Sequence, residues 1–164
     1  MMVAGPTAPM ARAEPVLAAI AGKVFRVGTP PGTAAKSKIV NNLLAAVNLA
    51  AGAEALALAT AAGLDPRMVV DVVNASSGGS WMFADRMPRA LDGDYAPRAA
   101  AKILAKDVGI ATSFAARHHV GVPFALAARN AFQDALAAGH GEQDDAIVYA
   151  CAQSRVGLTT PLSA

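Results

Sequence analysis

Cysteine, aromatic rings and strong charge are what this sequence has least of. A single cysteine, Cys151, excludes an internal disulfide and a Cys-rich zinc site. Its neighbours Val148, Tyr149 and Ala150 suggest an inert buried thiol. Aromatic residues make up 5% of the chain, and the net charge is +2 with the basic residues scattered. No basic stripe interleaved with stacking rings is present, which argues against a nucleic-acid partner. No G-x-G-x-x-G run occurs either: Gly78-Gly79 and the Gly139–Gly141 turn have the wrong spacing. A self-sufficient Rossmann phosphate-binding turn is therefore excluded. The opening MMVAGPTAPMARAEP combines no continuous apolar segment with a basic leader, so no signal peptide is expected and a cytoplasmic protein is.

What is abundant is alanine, valine and leucine, within a chain that is 54% hydrophobic. Alanine is the best helix former, which favours an all-α helical bundle over a sheet protein. One long helix, Thr33 to about Ala62 with Gly63 as its C-terminal cap, should form the centre. Its apolar run from Leu43 to Gly63 contains Asn48 and Glu54. A carboxylate at bilayer depth costs about 2.5 kcal/mol or more on insertion scales, so a buried helix or an interface is expected rather than a membrane span. Before it, Met1–Gly5 reads as an apolar stub, Pro6–Ala21 as a helix interrupted at Pro15, and Lys23–Val27 as a short strand. After it, Asp65-Pro66 starts a helix reaching about Ala75. Ser76–Ser80 is a turn, Ser80–Leu91 a helix capped by Ser80, and Asp92–Pro97 a loop. Further helices are expected at Ala99–His118, Pro123–Ala138 and Gln143–Ser154, with a frayed tail over 155–164.

Three places carry candidate chemistry. Lys38 precedes Asn42 by four residues, so an ammonium and a carboxamide share one helix face. That pair can grip a hydroxyl or carbonyl oxygen, although a solvated helix start would look the same. Lys36 is the rival base if the helix register shifts by two. Lys106-Asp107 is either a second functional pair or a solvated surface pair. Ser77 and Gly78, in a turn of small residues, could approach an anion closely, or simply serve the cap at Ser80. Trp81, Met82 and Phe83 read as core or interface volume. His118, His119 and His140 do not share a face, so no metal site is expected.

Five runs taken together make the chain similar to a known family: KIVNNLL (Lys38–Leu44), AEALALATAAGLDP (Ala53–Pro66), NASSGGSWMFADRMPRALDGDYAPR (Asn74–Arg98), AKDVGIA (Ala105–Ala111) and VGVPFALAARNAFQDALAAGHGEQDDAIV (Val120–Val148). From Pro31 to about Tyr149 the sequence resembles the helical C-terminal domain of the β-hydroxyacid dehydrogenases. These are NAD(P)-dependent relatives of 3-hydroxyisobutyrate dehydrogenase, tartronate semialdehyde reductase and 6-phosphogluconate dehydrogenase. The run GSWMFADRMPRALDGDYAPR looks closest to the branch acting on small sugar acids such as threonate.

The resemblance implies three regions. Residues 1–30 would be the remnant of the end of a Rossmann domain, 31–154 a helical substrate-binding and dimerisation domain, and 155–164 a tail. It implies Lys38 as the catalytic acid–base, with Asn42, Ser77 and Gly78 at the substrate. Asn41 would only pack, and Lys106 would reach NAD or NADP while Asp107 holds its helix or an inter-subunit contact. Ala34 stands where the family usually has a second glycine after Gly32, and Leu104 where it often has Phe. The expected partners are a small hydroxy acid and a second copy in a homodimer, with a separate Rossmann-domain chain if the gene is divided. A truncated dehydrogenase, the product of a divided gene or an isolated domain would each give such a sequence. The alternative is a non-catalytic helical dimerisation module.

Overall fold

The computed structural model describes residues 1–158. Two compact units emerge, Met1–Asn41 and a second beginning at Asn42. In the first, β1 (Met2–Val3) and β2 (Phe25–Arg26) form a two-stranded parallel sheet, with Met2 opposite Phe25 and Val3 opposite Arg26. Helix α1 (Thr7–Ile20) makes the crossover between them. The apolar stub is thus a strand, because parallel pairing needs a crossover and α1 supplies it. Pro15 does not interrupt α1. The bond it cannot donate would go to the carbonyl of Ala11, an exposed residue, where water can take its place.

The long helix α2 runs from Thr33 to Ala61. Its end is set by Gly63 at φ +80, where the amides of Leu64 and Gly63 bond back to the carbonyls of Ala59 and Thr60. That pairing satisfies orphan carbonyls of the last turn, and glycine accepts the positive φ without strain. Asp65 then caps α3 (Pro66–Asn74), its carboxylate accepting from the Arg67 amide at 3.0 Å. Ser80 caps α4 (Trp81–Leu91) as expected, accepting from the Phe83 amide at 3.1 Å. Helices α5 (Ala101–Arg117) and α6 (Pro123–Ala137) follow, then α7 (Val148–Arg155).

From Asn42 on, the chain encloses one apolar core built on Leu49, Leu56, Met87, Val108, Phe132, Ile147 and Tyr149. By length and composition α2 could cross a bilayer, with mean hydropathy 1.6 over its most apolar stretch. Its Leu49, Ala53 and Leu56 are instead buried in this core. Gly52 lets α4 come close, since a Cβ there would lie 2.6 Å from Cδ2 of Phe83. Met82 and Phe83 are core, as expected, but Trp81 is 69% exposed. As the first residue of α4 it points away from the face that Met82 and Phe83 bury.

The helix expected over Gln143–Ser154 starts late. Asp144 pairs with Ala100 in an isolated bridge, and a 3-10 turn (Asp145–Ile147) intervenes before α7. The Asp144 carboxylate accepts from the amides of Arg98, Ala99 and Ala146, so it ties the loop rather than opening an α-helix. Of the tail expected over 155–164, Arg155 closes α7, and residues 159–164 lie outside the described ones.

Candidate functional site

Helix α2 carries Lys38 and Asn42 one turn apart on a shared face. Lys38 is exposed and Asn42 half-buried. Lys36 is also exposed, but two residues from Lys38 means nearly the opposite side of the helix. Ala34 lies inside α2, in a backbone that demands nothing of glycine. The turn before it is made at Gly32, with φ +91.

The motifs KIVNNLL and AKDVGIA meet at one carboxylate, Asp107, which lies 65 positions after Asn42. The Asn42 Nδ2 donates to Asp107 Oδ2 at 2.7 Å, while Lys106 Nζ lies 2.9 Å from Asp107 Oδ1. Asp107 keeps 14% of its side-chain exposure and Lys106 keeps 63%. The carboxylate is therefore largely sheltered, and the ammonium it steadies remains open to a ligand. Charge-assisted bonds of this kind are stronger than neutral ones and fix the amide group by its donor end. Leu104, one turn before Asp107, is buried in the core. Spacing within one helix could not have identified this bridge, because Asn42 and Asp107 belong to different helices.

Ser77 and Gly78 occupy the exposed turn between α3 and α4. The turn's own amide bonds run from Ser76 to Val73 and from Gly79 to Ser76. Cys151 is half-buried, and burial pushes its thiol above the ordinary range. His118 packs its ring on Phe114, with centroids 4.5 Å apart. A second charged cluster, legible nowhere in the sequence, sits under α4: Arg86 Nε reaches Asp145 Oδ1 at 2.6 Å and Arg89 reaches Asp144 at 3.2 Å.

Comparison with known proteins shows the family of the chain. The family model for the NAD-binding domain of NADP-dependent 3-hydroxyisobutyrate dehydrogenase matches residues 32–152. The L-threonate dehydrogenase of Cupriavidus necator is 47% identical over 148 residues, covering 90% of this chain and 50% of that protein. A 3-hydroxyisobutyrate dehydrogenase from Salmonella typhimurium superposes with TM-score 0.85 at 42% identity, over 89% of this chain and 51% of that one. The 3-hydroxyisobutyrate dehydrogenase of Mycobacterium tuberculosis, solved with L-serine, gives TM-score 0.82 at 29% identity, over 90% and 53%. The chain spans about half the length of the curated relatives it matches. With the helical architecture, the matched span and these identities in agreement, this chain belongs to the NAD-binding domain family of NADP-dependent 3-hydroxyisobutyrate dehydrogenase.

Proposed function

We propose that this chain is the substrate-handling half of an NAD(P)-dependent hydroxyacid dehydrogenase, acting on a small sugar acid of the threonate type. The observation that carries the reading is the bridge from Asn42 through Asp107 to Lys106, which joins two motifs of the family resemblance. Lys38 holds the substrate hydroxyl and accepts its proton on oxidation, or returns it on reduction. Asn42 orients the substrate by hydrogen bonding, with Asp107 holding its amide. Ser77 and Gly78 add small-residue contacts to the substrate.

The residues present fit one side of a dinucleotide and no more. Lys106, an open ammonium steadied by Asp107, can contact it, but a glycine turn for the pyrophosphate is missing from the sequence. A bound nicotinamide supplies the hydride donor or acceptor. The phosphate-binding turn must come from a Rossmann segment elsewhere in the protein or on a separate chain. Exposed Leu44 and Leu58 on α2, at 56% and 70%, support a homodimer with an apolar interface. We read the protein as cytoplasmic, with no membrane or nucleic-acid partner.

The test joins this chain to the N-terminal half of the Cupriavidus necator relative and measures threonate oxidation. Lys38→Ala should lower kcat by at least about 10², the lower figure for a general acid–base group, with cofactor affinity kept. Asn42→Ala should also raise KM, and Lys36→Ala should change little. A crippled Lys36→Ala beside a silent Lys38→Ala would shift the base by two residues. If both are silent in an active protein, the assignment of the base fails.

A further inference from the structure

The charged cluster beneath α4 takes no part in the dehydrogenase reading. Asp145 is 2% exposed and Asp144 fully buried. From α4, Arg86 faces both, with Nε 2.6 Å from Asp145 and 3.6 Å from Asp144, and it also pairs with Asp85. Arg89 reaches Asp144 at 3.2 Å and Asp85 at 3.5 Å. Arg98, on the neighbouring loop, gives Asp144 its backbone amide while its guanidinium goes to Asp94. Three carboxylates therefore share two guanidiniums. The two buried carboxylates are not equivalent: Asp144 accepts three backbone amides, whereas Asp145 depends for its charge on Arg86. Above Arg86 lies the exposed ring of Trp81, 5.5 Å from the guanidinium carbon.

We propose that Asp145, Arg86 and Trp81 form a proton-operated switch at the head of α4. With Asp145 ionised, Arg86 is held down against the 3-10 turn by a charge-assisted bond. A proton taken up by Asp145 removes the excess negative charge, and Arg86 is left to Asp85 and Asp144. The cation under the Trp81 ring is then differently held, and so is the start of the helix that follows the Ser77–Gly78 turn. Burial sets where this happens: it pushes the Asp145 carboxyl up to about 6 against the pull of Arg86. Asp144, despite equal burial, is held below the ordinary range by the amides of Arg98, Ala146 and Ala99 and by Arg89. The protonated carboxyl therefore contributes stability that is full below the unfolded value of about 4 and is lost as pH rises from there through about 6.

The full chain, labelled with 13C at aspartate carboxyls, tests this by titration from pH 4 to 8. One resonance should titrate near 6 and vanish in Asp145→Asn; if every aspartate titrates below about 4.5, the ordinary range, the switch does not exist. Trp81, the sole tryptophan, should change emission with the same midpoint while far-ultraviolet circular dichroism stays constant. Emission that is flat across that range in the unmodified protein overturns the coupling to α4, whatever the variant does. Asp145→Asn, a neutral isostere of the protonated acid, should melt at pH 7 no lower than the parent chain. A lower melting temperature means that the charge is structural and overturns the proposal.

Discussion

The two units of this molecule use opposite means of holding a helix. In Met1–Asn41, α1 has no buried residue and its strands are two residues long. The helix is fastened by Glu14 pairing with Arg26, both about half exposed, and the strands by backbone bonds such as Phe25 to Met1 at 2.8 Å. Val16, Ile20 and Phe25 stay exposed at 62%, 64% and 49%. From Asn42 onward, helices share a continuous apolar core with a buried charge cluster at its edge. Burial stabilises in proportion to apolar area removed from water, whereas an exposed ion pair contributes about 0–1 kcal/mol. The difference teaches that secondary structure alone does not measure local stability. Parallel pairs are stable when both faces are covered, and a two-stranded sheet is marginal by itself.

Substitutions can break this contrast, and the largest effect belongs to the core. Phe132→Ala should lose about 3–5 kcal/mol, read from urea unfolding, because it opens a cavity among packed helices. Asp144→Ala should cost nearly as much, about 3–5 kcal/mol, since it leaves Arg89 and three amides without their acceptor. A smaller loss is expected for Gly52→Ala. The methyl meets Phe83, which costs about 1–3 kcal/mol, against about 1 kcal/mol gained in helix propensity, so a net loss near 1 kcal/mol should appear as a lower urea midpoint. Glu14→Ala should change global stability by about 1 kcal/mol or less. Native-state hydrogen exchange sharpens the comparison directly. Amides of α1 should exchange through low-energy opening and those of α5 near the global unfolding limit. Equal protection in the two helices would mean that the first unit is covered in solution.

Much of the helical layout was legible because its signals are local. Gly63 closes α2, Asp65-Pro66 opens α3 and Ser80 caps α4 through bonds within a few residues of each other. Pro15 misled for the converse reason: a breaker's cost depends on whether water can reach the carbonyl it strands, and exposure is not written in the local sequence. The delayed start of α7 has a similar origin, since the loop amides that hold Asp144 come from residues about 45 positions away. Of the candidate site, Lys38 and Asn42 could be paired by helical spacing, and Lys106 by family resemblance. Asp107 joining Asn42 to Lys106 could not be read off, because the two helices that bring them together are remote in sequence.

By itself, then, the sequence determined what short-range physics determines. Alanine content made the chain helical, glycine and capping residues set most helix ends, and missing glycines denied it a phosphate-binding turn of its own. Tertiary structure alone decided which charges lost water. Asp144 and Asp145 are adjacent and chemically identical, yet one is held below the ordinary carboxylate range and the other raised to about 6. The amides and guanidiniums around each carboxylate separate them, and most of those neighbours come from α4 and from the loop at Arg98, far along the chain. A charge costs free energy according to what surrounds it in space, and only the folded arrangement supplies those surroundings.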